Sequence, residues 1–210
     1  MRGLKNLAIG AIILSLTMVS ILCFTLPSSL LFNEQVPSKV DLKDLAVWYI
    51  GDSNDVLEKV LNRMQQLGVK QTKRLEIQSF LSNNTLESTS LNQKSLVIFD
   101  GHWISERVND SEIHAFLRKA SHQKARLMTV GGSTSKFFEA LDKAGVDELG
   151  RDENGNIRNP AYHDPPLVGF MLKQARAPDG HSYSYPSIFI SSSIDIDATV
   201  QELINWLGGG

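Results

Sequence analysis

The feature that most constrains the fold of this chain is an unbroken apolar run that ends in polar residues. Residues 95–99 read SLVIF, and Asp100, Gly101, His102 and Trp103 follow directly. An apolar run without alternation is typical of a strand buried on both faces, as in a parallel sheet covered by helices. Residues that follow such a strand lie at its carboxyl end, where open α/β sheets bind ligands. The run therefore predicts both a fold class and the place of a site.

Strand and helix patterns alternate on both sides of this run. A strand pattern at 45–50 precedes a helical apolar face that ends at Gly68, and a weaker strand pattern lies at 72–80, around Leu75-Glu76-Ile77. Another strand is predicted at 126–130, before a helix that ends at Gly145. The alternation predicts a doubly wound, mostly parallel, flavodoxin-like α/β sheet. Strand patterns at 167–174 and 185–191, joined around residues 178–180, predict an antiparallel edge hairpin.

Composition excludes several classes of protein. The 210 residues carry a net charge of -2 and show no basic cluster, so nucleic-acid binding is not expected. The single cysteine, Cys23, rules out an intrachain disulfide and a cysteine-rich metal site. We expect no cofactor.

The N-terminus predicts a membrane anchor. Arg2 and Lys5 precede an uncharged apolar run that begins at Leu7 and ends at Leu26, long enough to span a bilayer. The basic start favours a cytoplasmic N-terminus and an external domain. We therefore expect a signal anchor at 1–32, a tether at 33–43 and an extracytoplasmic α/β domain at 44–210. The alternative is a secreted protein, with cleavage near Ser28.

Three loops are expected to meet at the carboxyl ends of the strands, at 51–54, 100–103 and 131–135. Glycines in such loops allow a ligand to approach the backbone closely, and helix N-termini favour anions. Ser53 or Asp52 is expected to cap the first helix, and capping alone is the structural alternative for each loop. The candidate ligand-binding residues are Asp52, Ser53, Asp100, Gly101, His102, Gly132 and Ser133.

Ser133 is also a candidate nucleophile. It lies on a glycine-rich strand-to-helix turn that reads G-x-S-x-S, close to the G-x-S-x-G of nucleophile elbows. His163 with Asp164, or His181 with Asp179, would supply a base and its orienting acid. The structural alternative is a serine that caps the helix.

The order of 96–101, helix, 128–133, helix resembles the core of the class I glutamine amidotransferase-like superfamily. The resemblance covers roughly residues 45–145 and implies a flavodoxin-like fold, with the nucleophile on the second glycine-rich turn. Ser133 stands where those enzymes have cysteine, so a non-catalytic member is implied. A second resemblance, to response-regulator receivers, rests on Asp52, Asp100, Ser133 or Thr134, and Lys173. Receivers need an acidic pair after the first strand to hold Mg²⁺, and only Asp52 stands there.

Together these features predict a membrane-anchored extracytoplasmic domain that binds a partner or small ligand. Its expected partners are the lipid bilayer, through Leu7 to Leu26, and a protein at the membrane. The alternative is a hydrolase or transferase that uses Ser133 with His163 or His181. Asn83 and Asn109 each begin a glycosylation sequon.

Overall fold

The computed structural model describes residues 41–82, 91–146 and 164–208. These residues fall into two units. Gln174–Tyr183 belongs to the smaller unit, and the other described residues belong to the larger one. The predicted anchor, most of the tether, His163 and Asn83 lie outside the described residues. Within these three ranges, every helix is too short or too polar to cross a membrane.

A six-stranded sheet forms the centre of the fold, in the order β2-β1-β3-β4-β5-β6. The strands are β1 (Ala46–Ile50), β2 (Gln71–Arg74), β3 (Ser95–Asp100), β4 (Arg126–Val130), β5 (Leu167–Arg176) and β6 (Ser182–Ile190). The first four strands are parallel, and β5 pairs antiparallel with β4. The prediction of a mostly parallel α/β sheet with an antiparallel edge is confirmed.

Helices cover both faces of this sheet. They are α1 (Asp55–Gln66), α2 (Ile77–Ser82), α3 (Gly101–Glu106), α4 (Ser111–His122), α5 (Thr134–Lys143) and α6 (Ile196–Gly208), and a short 3-10 helix at Leu42–Asp44 precedes β1. Alternate residues of β3 pack into two separate cores. Val97 and Phe99 contact the core built by α4 and α5, whereas Leu96 and Ile98 contact the core built by α1 and α6.

The unbroken apolar run of β3 is explained by these two cores, because each face of the strand meets a helix layer. All six residues of β3 are buried. The Phe99 ring packs edge-on against Phe116 of α4, with ring centroids 5.9 Å apart. It also lies 6.4 Å from the ring of Phe137 on α5. Phe99 therefore joins the central strand to two helices.

The predicted strand around Leu75-Glu76-Ile77 is wrong in position. The structure places β2 at Gln71–Arg74 and begins α2 at Ile77. β2 is an edge strand of largely exposed polar residues, so it lacks the apolar pattern on which strand prediction depends. Leu75 and Phe80 are apolar because both side chains enter the α4/α5 core.

The cap of α1 also differs from expectation. Ser53 and Asp52 were the predicted caps, but Asn54 is the capping residue, and its side-chain oxygen accepts from the backbone N–H groups of Val56 and Leu57. Asn54 stands directly before the first helical residue, where its oxygen reaches the free amides of the first turn. At α4, Asp110 is the capping residue, and its side chain accepts from the backbone N–H of Glu112.

Three helices end in the same hydrogen-bonded motif. In α1, α4 and α5, the second residue after the C-terminal cap residue donates its backbone N–H to a carbonyl oxygen of the last helical turn. The donor–acceptor distances are 3.1 Å at α1, 3.1 Å at α4 and 3.2 Å at α5. The residue before it adopts a positive φ, which is 112° at Gly68, 62° at Lys124 and 73° at Gly145. Glycine is the usual residue there because it has no Cβ. Lys124 is the one residue other than glycine with a positive φ in the part of the chain that the structure describes.

We expect Lys124→Gly to raise the free energy of unfolding by about 0.5–1 kcal/mol, because relief of the left-handed strain exceeds the lost attraction of the ammonium to the helix end. Gly68→Ala is the matched control. A Cβ at Gly68 would meet no atom within 4 Å, so this variant adds strain alone and should lose about 1 kcal/mol. Urea denaturation measures both changes. A loss of stability in Lys124→Gly would mean that the lysine side chain stabilises the fold.

Candidate functional site

The three candidate loops leave strands that are adjacent in the sheet. β1, β3 and β4 lie side by side, and their carboxyl ends form one edge, which we call the carboxyl edge. The chain leaves β1 toward β2 on one side and reaches β3 on the other, so a topological switch point lies between β1 and β3. The three candidate loops lie at the same edge, as predicted, because the strands that precede them are neighbours in the sheet.

The loops after β1 and β3 are joined by a hydrogen bond between two helix caps. The Asn54 Nδ2 atom donates to Asp100 Oδ2 over 3.1 Å. The Asn54 side-chain oxygen accepts from two backbone N–H groups of α1, over 3.1 and 2.9 Å. Asp100 Oδ1 accepts from the backbone N–H groups of His102 and Trp103, over 2.8 and 3.2 Å. One side-chain pair therefore fixes the starts of α1 and α3 together.

This arrangement uses both carboxylate oxygens of Asp100. The residue is 5 % exposed, and its charge is compensated by an amide and by the backbone N–H groups of α3. Asp100 thus supports the fold at the carboxyl edge. A ligand that binds the Asp100 carboxylate would first have to displace these hydrogen bonds.

The glycines of the carboxyl edge allow two loops to touch backbone to backbone. A Cβ added to Gly101 would lie 1.8 Å from the carbonyl oxygen of Gly131, and one added to Gly132 would lie 2.2 Å from the carbonyl carbon of Gly101. The space beside Gly101 and Gly132 is therefore filled by the neighbouring loop. Contact between the loops is a sufficient reason for glycine at both positions.

Trp103 covers the loop after β1. A Cβ at Gly51, whose φ is 106°, would lie 3.0 Å from the Trp103 Cγ atom, and the indole also packs against the α4/α5 core. The Arg107 guanidinium lies over the Trp103 ring, 4.4 Å from the ring centroid. Its Nη1 atom donates to the Trp103 carbonyl over 3.1 Å. Trp103 therefore covers the core at this edge.

Ser133 directly precedes the first residue of α5, but its side chain does not cap the helix. Its side chain makes no cap hydrogen bond, and its Oγ atom lies 2.9 Å from Ser135 Oγ. The first backbone N–H of α5, at Thr134, instead donates to Asp164 Oδ1 over 2.7 Å. The structural alternative, a serine side chain that caps this helix, is wrong, and a carboxylate from 30 residues away binds the helix start instead. A charged acceptor at a helix N-terminus is favoured by the helix dipole.

The two histidines proposed as bases differ in what the structure describes. His163 lies outside the described ranges. His181 belongs to the smaller unit, where its backbone N–H donates to Asp179 Oδ1 over 3.0 Å and its carbonyl accepts from Ala177 over 2.7 Å. Asp179 thus shapes the turn. The pairing of Ser133 with either histidine stays a prediction.

The remaining candidate residues lie on the surface of the larger unit. Asp52, Ser53 and His102 are exposed, and Ser53 Oγ donates to Glu58 Oε1 over 2.8 Å. No group of three or more His, Cys, Asp or Glu side chains within the described ranges is placed to hold a metal ion. The receiver resemblance requires such an acidic group, and Asp100 is already engaged by Asn54.

Sequence reasoning missed Asn54 as a cap and missed the contact that Asp164 makes with the start of α5. Asn54 had a local signal, since asparagine directly before a helix start is among the best caps. The role of Asp164 had none, because its contact with Thr134 joins segments that are distant in the chain. These two segments come together because β4 lies beside β5 in the sheet.

We expect Gly101→Ala to lower the free energy of unfolding by about 3 kcal/mol or more, because its methyl group would overlap the backbone of the neighbouring loop. Gly131→Ala is the control. Gly131 has a φ of 68°, but an added Cβ meets no atom within 4 Å, so strain alone should cost about 1–2 kcal/mol. Thermal and urea unfolding measure both. Equal losses would show that the two loops do not depend on this contact.

We expect Asn54→Ser to keep the cap of α1 but lose the bond to Asp100, at a cost of about 1–2 kcal/mol. Asn54→Asp also keeps a cap, yet it directs a second carboxylate at Asp100 and should cost more than Asn54→Ser. Asp52→Ala, in the same loop but exposed, should stay within about 0.5 kcal/mol of the wild type. Equal stability of the serine and aspartate variants would contradict the cap-to-cap bond.

No protein-family model matches this chain, and neither a curated protein nor a solved structure does. The similarity to the class I glutamine amidotransferase-like superfamily therefore rests on the order of strands and glycine-rich loops. The fold is α/β, and the family remains a prediction.

Proposed function

We propose that the chain is a membrane-anchored extracytoplasmic domain that binds a protein partner at its carboxyl edge and turns over no substrate. The observation that carries this proposal is the mutual bonding of the three loops. The Asn54–Asp100 bond, the Gly101–Gly131 contact and the Asp164–Thr134 bond join the loops and helix starts to one another. At the carboxyl edge, the loop backbone is held by these contacts and polar side chains lie on the surface.

A rigid surface of this kind suits a protein partner better than a small ligand. Small-molecule sites are concave and largely apolar, whereas Asp52, Ser53 and His102 are exposed polar side chains. Preorganised backbone lowers the entropy cost of binding. The surface side chains of the loops would supply specificity through hydrogen bonds at the contact.

The surroundings of Ser133 support binding rather than catalysis. A serine nucleophile needs a base within hydrogen-bond reach, at about 2.6–3.2 Å. In the part of the chain that the structure describes, the partner of Ser133 Oγ is the hydroxyl of Ser135. The resemblance to amidotransferases agrees with this proposal, since it implies a member without the nucleophile cysteine.

A hydrolase or transferase remains the second candidate, and one observation favours it. Asp164 contacts the first residue of α5, directly after Ser133, and it follows His163 in the sequence. The same contact weakens the candidate, because the Asp164 oxygen proposed to orient a histidine accepts from the Thr134 backbone instead.

We expect the protein to sediment with membranes and to stay there after carbonate extraction, because Leu7 to Leu26 is long enough to span a bilayer. Protease added to right-side-out vesicles should digest the domain. Inverted vesicles are the control and should protect it. A soluble chain with a trimmed N-terminus would instead support the secreted alternative.

We expect a fluorophosphonate probe not to label Ser133, because its hydroxyl pairs with another hydroxyl. Ser133→Ala and Ser135→Ala serve as controls for probe specificity. Labelling that disappears in Ser133→Ala and in His163→Ala or His181→Ala would replace the binding proposal with the hydrolase.

The binding proposal has a positive test in the same membranes. A photo-crosslinking residue in place of His102 should form a discrete adduct, and the same residue in place of Gln201, exposed on α6, should not. Replacing Asp52 by Lys in the His102 variant should reduce the adduct. Equal adducts from positions 102 and 201 would contradict a partner surface at the carboxyl edge.

A further inference from the structure

Ile194 is the most exposed large apolar side chain in the part of the chain that the structure describes. It is 90 % exposed, whereas the next three, Val56, Tyr183 and Ile188, lie between 36 % and 41 %. A single exposed apolar side chain is ordinary on a protein surface. Ile194 differs from such a residue because the backbone around it is fixed and because a groove lies beside it.

The loop of residues 191–195, which carries Ile194, is held on both sides of that residue. Before it, Ser192 donates its backbone N–H and its hydroxyl to the Glu202 carboxylate on α6. After it, Asp195 Oδ2 accepts from a backbone N–H in the first turn of α6 over 3.0 Å. Because this backbone is already ordered, little conformational entropy is lost when Ile194 enters a contact.

A groove of about 530 Å³ lies beside Ile194, between α1 and the start of α6. Residues 194–197 line one side, and four residues of α1 line the other: Lys59, Asn62, Arg63 and Gln66. Ile196 gives the groove a partly buried apolar wall, which packs against the core built by α1 and α6. Arg63 Nε lies 2.9 Å from Asp197 Oδ1 and joins the two helices. The groove thus combines an apolar wall with charged residues.

The charges that line this groove balance one another. Arg63 and Asp197 form an ion pair within the chain. Lys59 and Asp195 each lack an oppositely charged partner among the described residues. Two residues of each sign leave the groove without net charge, so it does not repel a copy of itself. A surface that carries one unpaired cation and one unpaired anion is complementary to itself when it meets its copy in the opposite direction.

We propose that this groove binds a second copy of the chain in a two-fold symmetric dimer. In such an interface the same surface is used by both copies, so every contact occurs twice. The Ile194 side chain of one copy enters the groove of the other and packs against Ile196. Asp195 directly follows Ile194, so it is carried to Lys59 of the second copy, which lines the same groove. This inference does not depend on the anchor or on the partner proposed for the carboxyl edge.

The first test is the oligomeric state of the full chain in detergent solution, measured by sedimentation velocity over a concentration series. We expect a concentration-dependent dimer. Ile194→Asp should raise its dissociation constant about tenfold or more, because it removes an apolar contact and places a carboxylate in each groove. The variant should melt at the wild-type temperature, since so exposed a side chain supports no contact within one copy.

An exchange of charges tests the pairing of Lys59 with Asp195. Lys59→Glu and Asp195→Lys should each weaken the homodimer, because each variant sets like charges opposite one another. A mixture of the two variants should form a heterodimer with most of the wild-type affinity, since both charge pairs are restored. Asp195→Lys also removes a helix cap, so Asp195→Asn, which keeps a cap, should weaken the dimer less.

Lys73→Glu is the control for the change in net charge. Lys73 is exposed on β2, beside Trp48 of β1, and Trp48 packs against the core built by α4 and α5. Lys73 therefore lies on the face of the sheet opposite the groove, and Lys73→Glu should sediment as the wild type does.

Three results would overturn the proposal. These are a wild-type monomer at every concentration, a dimer that is unchanged in Ile194→Asp, and a mixture of folded Lys59→Glu and Asp195→Lys chains that stays monomeric. Failure of the proposed function is seen separately. A crosslink between two copies has twice the mass of the chain, so it is distinct from the adduct to another protein that is expected from position 102.

Discussion

Burial of β3 on both faces is the constraint on which the rest of the structure depends. Its side chains alternate between two cores, so neither helix layer can be removed without exposing half of the strand. Phe99 makes this dependence concrete, since one ring contacts both Phe116 and Phe137. The same burial confines polar residues to the ends of the strand, and it thereby determines where a site can form.

The two ends of the sheet differ in the contacts that their loops make. At the carboxyl edge, the Asn54–Asp100 bond and the Gly101–Gly131 contact join the loops to one another. At the opposite end of the sheet, the guanidinium of Arg126 is buried and donates to the carbonyls of Gln93 and Leu207. The acceptor of the buried hydrogen bonds is a carboxylate at the first end and backbone carbonyls at the second.

Much of the candidate site was predictable in position but not in role. The order of strand ends correctly located the loops that carry Asp100, Gly101 and Gly132, since the carboxyl ends of parallel strands share one edge. Their contacts were not predictable, because a glycine that admits a ligand and a glycine that admits a neighbouring backbone look identical in sequence. Asp164 illustrates the limit, since its bond to Thr134 depends on strand order alone.

The sequence by itself determined the alternation of strands and helices, the central place of β3 and the glycine ends of α1 and α5. These follow from local periodicity and from the freedom of glycine at positive φ. Only the tertiary structure decided the position of β2, the cap-to-cap bond and the environment of Arg126. An exposed edge strand carries no apolar pattern, and the partners of a buried polar group come from distant segments whose proximity is set by packing.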